Sequence, residues 1–73
     1  MKVRMVKLKD SDSAEYKNHI EIGTEVVGEI TKLPEEGECF YVGLRYRTSF
    51  VKEIISLDIF RTNNSIYKIE KVQ

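Results

Sequence analysis

The sequence is poor in the residues from which disulfide frameworks, metal centres and most catalytic sites are built. It contains one cysteine, Cys39, and one histidine, His19. A single cysteine excludes a disulfide within the chain and suits a reducing compartment. One thiol and one imidazole are also too few for the four-ligand shell of a structural zinc site. We therefore expect a domain that folds without a disulfide, a metal ion or a cofactor.

The sequence also has no surplus of one charge and no long apolar run. Its 12 basic and 12 acidic residues cancel, whereas a dedicated nucleic-acid binder usually carries a large positive surplus. No apolar stretch is long enough for a signal peptide or a membrane span. We therefore expect a soluble cytoplasmic protein with no membrane role. Its length of 73 residues predicts one small domain over 1–73, which would bury roughly 60% of the surface of the unfolded chain.

Catalytic chemistry has few candidates in this chain. A nucleophile–base pair of Cys39 and His19 would need a third group to orient the imidazole. A lone histidine beside a polar loop is far more often a solvated side chain. The carboxylates of Glu35, Glu36 and Glu38 cluster at a predicted turn, where solvation is the usual state. We predict that the protein is not an enzyme.

A partial calcium-loop match is rejected for a similar reason. The stretch 10–21 places acidic residues at the first, third and last positions of such a loop. However, Ala14 occupies a ligand position, and Glu15 stands where the sharp turn requires glycine. No metal site is predicted.

Strand-forming sequence covers most of the chain. Alternating residues rich in Val, Ile, Thr, Tyr and Phe predict short strands and leave 9–18 as an exposed polar loop, in which a helical turn from Ser13 to Asn18 would fit. The predicted strand segments are 2–8, 24–33, 38–46, 48–56, 59–62 and 65–72. Five or six short strands with tight turns predict an all-β fold, either a small SH3-like barrel or a strongly bent antiparallel sheet. An OB-fold barrel is the nearest rival, but it would need more residues than this chain supplies.

Two strand segments contain predicted irregularities. The apolar alternation of the first segment runs through Val3 and Met5 and then changes phase to Val6 and Leu8, which indicates a β-bulge. Gly28 interrupts the second segment, where a sheet commonly bends or another backbone comes close.

Two turns are predicted from local residue types. Residues 34–37, Pro-Glu-Glu-Gly, are typical of a hairpin turn, because proline fixes φ and glycine permits a positive φ. Asn63 and Asn64 are predicted to turn the last hairpin, since asparagine tolerates left-handed geometry better than most residues.

The predicted core follows from the inward face of each strand. In 38–46, Phe40, Val42, Leu44 and Tyr46 share one face, and in 65–72 Tyr67 and Ile69 lie on the face opposite Lys68 and Glu70. We expect the core to contain Phe40, Val42, Leu44, Tyr67 and Ile69.

The stretches 47–54 and 60–72 carry related patterns, T-S-x-V-x-x-I and T-x-N-S-x-Y. The residues concerned are Thr48, Ser49, Val51 and Ile54 in the first and Thr62, Asn64, Ser65 and Tyr67 in the second. The combination resembles a pattern of short bacterial and phage-encoded SH3-like barrel proteins. The resemblance covers a minor part of the chain and implies a small β protein of a phage or mobile element, without a settled activity. We interpret Asn64 and Ser65 as part of a turn whose side chains bond to nearby backbone, and Thr48 and Ser49 could do the same where strands change direction.

One surface pattern indicates a function. Tyr41, Arg45 and Arg47 alternate onto the outer face of the predicted 38–46 strand region, and Lys2 and Arg4 alternate similarly near the N-terminus. Tyrosine and arginine are enriched at the energetic centres of protein interfaces. We predict a small binding module of phage or mobile-element type that acts through a protein–protein interaction, for example by inhibiting or modulating a host protein. A nucleic-acid-binding barrel that stacks bases on Tyr41 is the alternative, and a structural piece of a larger assembly or a homo-oligomer is also left open.

Overall fold

The alternating β-branched and aromatic segments form six strands. The computed structural model describes residues 1–11 and 21–72. The strands are β1 (Lys2–Asp10), β2 (Glu25–Glu29), β3 (Cys39–Val42), β4 (Tyr46–Ile54), β5 (Ile59–Thr62) and β6 (Ser65–Lys71). Of the predicted polar loop 9–18, Lys9 and Asp10 extend β1, and the predicted helical turn Ser13–Asn18 lies outside the described residues.

The strands form one antiparallel sheet that bends into a nearly closed barrel. Their order is β2-β1-β6-β5-β4-β3, so β2 and β3 are the two edges. These edges meet where the Gly43 amide donates a hydrogen bond of 2.7 Å to the Glu29 carbonyl oxygen. Closure of this kind shields strand edges that would otherwise template aggregation. The all-β prediction, a small barrel or strongly bent antiparallel sheet of five or six strands, is confirmed.

Gly28 permits the closing contact between β2 and the end of β3. A Cβ atom on Gly28 would lie 3.0 Å from the Gly43 amide nitrogen and 3.1 Å from the Val42 Cγ1 atom. Both separations are tighter than ordinary van der Waals contact, so a larger residue would push the two edges apart. Of the two alternatives predicted at Gly28, a bend or a close approach of another backbone, the structure shows the close approach.

The predicted bulge in β1 is present, but its effect on the side chains differs from the prediction. The β1–β6 register shifts between Lys7 and Lys9. Lys7 keeps the inward position and is buried, whereas Val6 is only half-buried and Leu8 is exposed. The Lys7 ammonium lies 2.6 Å from the Asp10 carboxylate. The predicted change of apolar phase is therefore wrong, because the aliphatic stem of Lys7 lines the interior while its charged end is paired.

The core lies inside the bent sheet, and every strand contributes to it, β2 through the partly buried Val26. Three aromatic rings form its centre. Phe40 meets Phe60 edge-on with ring centroids 5.3 Å apart, and Phe60 lies 5.5 Å from Tyr67. The buried apolar residues are Val3, Met5, Ile30, Phe40, Val42, Val51, Phe60, Tyr67 and Ile69. The predicted core positions Phe40, Val42, Tyr67 and Ile69 are confirmed.

Leu44 was predicted to lie in the core, and this prediction is wrong. Its side chain is fully exposed, at 105% of the reference area. The segment 38–46 is not one strand: β3 ends at Val42, and Gly43 turns the chain with a φ of +65°. Side-chain alternation therefore stops before Leu44 and starts afresh in β4, where Tyr46 packs half-buried against the core.

The turn at 34–37 does not join a hairpin. The Glu38 amide donates a 3.2 Å hydrogen bond to the Glu35 carbonyl, and Gly37 has a φ of +88°, so a turn exists as predicted. However, β2 pairs with β1 and β3 pairs with β4. The hairpin prediction is wrong because pairing with β1 places β2 at the far edge of the sheet.

The last hairpin forms across Asn63 and Asn64 as predicted, but without left-handed geometry. Phe60 pairs with Tyr67 across β5 and β6, and every positive φ in the described chain belongs to a glycine. The buried Thr62 hydroxyl holds the turn instead. It accepts hydrogen bonds from the Asn64 amide at 3.3 Å and from the Ser65 amide at 3.1 Å. The hydroxyl that bonds to the turn backbone therefore belongs to Thr62, whereas the sequence assigned this role to Asn64 and Ser65.

Thr48 shows the same behaviour in β4. Its buried hydroxyl accepts a 3.0 Å hydrogen bond from the Phe40 amide and donates one of 2.7 Å to the Ser49 carbonyl oxygen. The β3–β4 register shifts at this point, between Cys39 and Tyr41. The hydroxyl thus satisfies a backbone donor that the bulge would otherwise leave without a ladder partner.

Candidate functional site: an exposed arginine and tyrosine surface

The pairing of β3 with β4 places two of the predicted site residues side by side. Tyr41 is directly opposite Arg47 in the register, and both side chains are exposed. Side chains opposite each other on antiparallel strands have Cβ atoms about 4.5–5.5 Å apart. Tyr41 lies between the buried Phe40 and Val42, so strand alternation turns its ring outward.

Arg45 lies on the same surface, but it does not belong to a strand as predicted. It lies in the turn 43–45 between β3 and β4 rather than within a strand. The turn also carries Leu44, and an open depression joins these side chains to the two strands. Its lining residues, here called the β3–β4 patch, are Tyr41, Leu44, Arg45, Tyr46 and Arg47.

Sequence reasoning therefore found three members of the β3–β4 patch and missed two. Leu44 and Tyr46 were assigned to the inward face of a continuous strand. Gly43 indicated that the strand is interrupted, because a glycine inside a strand pattern often marks a turn or a close approach of backbones.

The patch carries positive charge that the described chain does not neutralise. Arg4 and Arg61 are each paired with a glutamate, at 3.1 and 3.3 Å. Within residues 1–11 and 21–72, no ion pair involves Arg45 or Arg47. In the part of the chain that the structure describes, the arginines outside the patch are thus paired with carboxylates, whereas those inside it are not.

Tyr46 forms a fixed wall of the patch. Its hydroxyl lies 3.2 Å from the hydroxyl of Tyr67, a core residue. Burial raises the pKa of Tyr46 well above its usual value, and the hydrogen bond to Tyr67 adds to the effect. Tyr46 is therefore neutral at physiological pH, and its ring is held in place from the core side.

The second predicted basic stretch is charge-balanced. Arg4 lies 3.1 Å from Glu25 and 3.9 Å from Glu70. Lys2 is opposite Glu29 in the β1–β2 register. Lys2 and Arg4 therefore have acidic neighbours, and neither residue lines the β3–β4 patch.

Two carboxylates of the acidic segment 35–38 also form ion pairs. Lys32 contacts both Glu35 and Glu38, and its hydrogen bond with Glu38 raises the pKa of the ammonium group. Cys39 is half-buried at the start of β3, and its suggested partner His19 lies outside the described residues. In the part of the chain that the structure describes, no three His, Cys, Asp or Glu side chains form a metal-ligating group.

A small apolar cleft lies at the β4–β5 end of the molecule. Its volume is about 110 Å³, below the roughly 300–1,000 Å³ of typical small-molecule sites. Leu57, at its rim, is 98% exposed. Sequence reasoning missed this cleft because its walls come from separate parts of the chain. They are Leu33, Pro34, Ile54, Ser56, Leu57, Ile59 and Phe60.

Comparison of the chain with protein-family models, with curated protein sequences and with solved structures finds no significant match. Among the described residues, no helix has the length and apolarity needed to cross a membrane. The chemistry of the exposed surface is therefore what indicates a function.

Proposed function

We propose that this protein is a small, non-enzymatic binding module that occupies a surface of another protein through the β3–β4 patch. The observation that carries the proposal is a pair of exposed arginines, Arg45 and Arg47, that no carboxylate of residues 1–11 and 21–72 pairs with. They are set around Tyr41 and the fully exposed Leu44. Arginine and tyrosine are the residue types enriched where interfaces gain most of their energy. The patch supplies guanidinium donors, an aromatic face and an apolar side chain, which are groups for recognition rather than for bond making.

A phage or mobile-element origin and a cytoplasmic location belong to the same proposal. They are supported by the resemblance of 47–54 and 60–72 to short phage-encoded proteins and by the lone cysteine. A module of this kind would act by inhibiting or modulating a host protein, since occupying a surface is enough to block a competing partner.

A nucleic-acid-binding barrel is the second candidate, because Tyr41 beside two arginines offers a stacking face and phosphate ligands. Direct oligonucleotide binding separates the two functions. A labelled oligothymidine held by two phosphate contacts should show a slope of about −1.4 for log K against log salt. No measurable binding of the oligothymidine would favour a protein ligand.

The direct test is photo-crosslinking from inside the patch. A benzophenone amino acid replaces Leu44 in cells that encode the protein, and the control carries it at Val27, which is exposed on β2 outside the patch. We expect a discrete protein adduct from position 44 that is absent from position 27. Identical adducts from both positions, or no adduct from position 44, would contradict the proposal, and adducts with nucleic acid would support the second candidate.

A further inference from the structure

We infer that the ligand of the β3–β4 patch is an acidic peptide segment in which two carboxylates lie beside one apolar side chain. This inference rests on the proposed function of the patch and names the chemistry of its partner. It follows from the charge, the spacing and the apolar surface of the lining residues.

Charge complementarity requires anionic groups on the partner. Arg45 and Arg47 have no carboxylate partner within the described chain, whereas Arg4, Lys32 and Arg61 each have at least one. A guanidinium presents its donors as a planar fork that matches a carboxylate with two parallel hydrogen bonds. The patch therefore has room for two such pairs.

The spacing of the arginines limits how far apart the two carboxylates can be. Arg45 and Arg47 are two residues apart in the chain, so their Cα atoms are separated by at most about 7 Å. Acidic residues two positions apart on an extended segment have nearly the same separation, and they face the same side. Two Asp or Glu residues at positions i and i+2 therefore fit the arginine pair.

The apolar part of the patch predicts an apolar side chain in the ligand, beside the two carboxylates. Leu44 is fully exposed, and Tyr41 is 59% exposed. Together they border the arginines with apolar surface that water covers poorly, so an apolar partner side chain gains from covering it. We therefore place one Leu, Ile or Phe next to the acidic pair in the ligand.

These features favour a peptide over nucleic acid. Single strands are bound along extended positive grooves with successive aromatic platforms. This patch has two cations, neither of which forms an ion pair with the described residues. Of its two tyrosines only Tyr41 is largely exposed, since Tyr46 is half-buried with its hydroxyl beside that of Tyr67. The Leu44 side chain has no role against a phosphate backbone.

The test is a random-peptide display selection on the wild-type protein, with depletion on the Arg45→Ala/Arg47→Ala variant. We expect the enriched peptides to share two acidic residues spaced i, i+2 and a neighbouring apolar residue. An enriched peptide made synthetically with a fluorophore should lose at least about tenfold in affinity for the double variant, and its Glu→Gln version should lose as much for the wild type. The matched control Arg4→Ala/Arg61→Ala should bind the peptide like the wild type.

Three results would overturn the inference. They are enrichment of peptides without acidic residues, absence of any enrichment, and tighter binding of a labelled oligothymidine with the same dependence on Arg45 and Arg47. Circular dichroism of the double variant shows whether the fold is retained, as expected for two exposed side chains that form no ion pair with the described residues. Arg47→Gln alone provides a milder second variant.

The failure of this inference can be distinguished from the failure of the proposed function. A protein crosslinked at position 44 whose contact surface lacks acidic residues would overturn the inference and leave the function standing. If the patch selects acidic peptides but gives no protein adduct in cells, the proposed function would be overturned and the inference about the ligand would stand.

Discussion

Phe40 and Leu44 lie four positions apart and have opposite environments. Phe40 is buried and contacts the ring of Phe60, whereas Leu44 is surrounded by solvent. Truncation of a buried phenylalanine leaves a cavity and costs about 3–5 kcal/mol. We expect Phe40→Ala to lose most of the free energy of unfolding of so small a domain. Leu44→Ala should change that free energy by no more than about 0.5 kcal/mol. Urea unfolding of both variants checks this, and equal losses would show that the β3–β4 turn is misplaced.

Tyr46 predicts how stability depends on alkaline pH. Burial and the Tyr67 hydroxyl raise the pKa of Tyr46 in the folded protein above the ordinary value of 10.0. The neutral phenol is thus favoured by folding, so its contribution is fully present below pH 10 and is lost as pH rises above it.

We expect the melting temperature to fall as pH rises above 10, and to fall less steeply in the Tyr46→Phe variant. Thermal unfolding monitored by circular dichroism checks this. The exposed Lys32, whose pKa is also raised, titrates in both proteins and therefore cancels in the comparison. Parallel pH curves for the two proteins would contradict the assignment to Tyr46.

At the scale of single residues, the sequence predicted burial correctly where it follows from the alternation of side chains along a strand. Phe40, Val42, Tyr67 and Ile69 lie inside because alternation within a strand leaves no other choice once one face is buried. It could not place Lys7, whose burial depends on its contact with Asp10 and on neighbours brought together by the fold.

At the scale of strands, the contact between Gly28 and Gly43 closes the barrel. A methyl group at Gly28 would meet backbone atoms that cannot rotate away. We expect Gly28→Ala to lower the free energy of unfolding by about 1–3 kcal/mol, as overpacking commonly does.

The matched control is Val27→Thr, which keeps a β-branched side chain at the exposed neighbouring position. Chemical denaturation should show a loss for Gly28→Ala that is clearly larger than for the control. Equal stability of the two variants would mean that the edges of β2 and β3 do not meet as described.

Strand existence was predictable from local residue types, but strand pairing was not. The β5–β6 hairpin follows from a two-residue turn between alternating segments. By contrast, the partner of β2 is β1, which precedes it across the polar segment, and no local feature of 34–37 indicates that β3 pairs forward with β4. Pairing of distant segments is decided by closure of the whole sheet.

At the scale of the whole molecule, the stabilising core of the described chain consists of nine buried apolar residues inside a nearly closed sheet. We expect the isolated chain to fold as an all-β domain with neither a metal ion nor a disulfide. Far-ultraviolet circular dichroism should show a β spectrum, and it should be unchanged by a chelator or a reducing agent. A helix-dominated spectrum, or unfolding on addition of chelator, would contradict this expectation.

The candidate site was predictable only in part, for a physical reason. Outward alternation indicated Tyr41 and Arg47, but the absence of ion pairs at Arg45 and Arg47 in the described chain depends on which carboxylates the fold brings near each arginine. That distinction between paired and unpaired arginines emerges only in three dimensions, and it is the basis of the proposed binding surface.

The most direct measurement is the affinity of the crosslinked partner for two double variants, determined by isothermal titration calorimetry. Arg45→Ala/Arg47→Ala and Arg4→Ala/Arg61→Ala remove the same charge, the first from the β3–β4 patch and the second from paired positions. We predict that the patch variant binds at least about tenfold more weakly, a loss of about 1.4 kcal/mol, while the control keeps the wild-type Kd. Equal affinity of the patch variant and the wild type would show that the β3–β4 patch is not the binding surface.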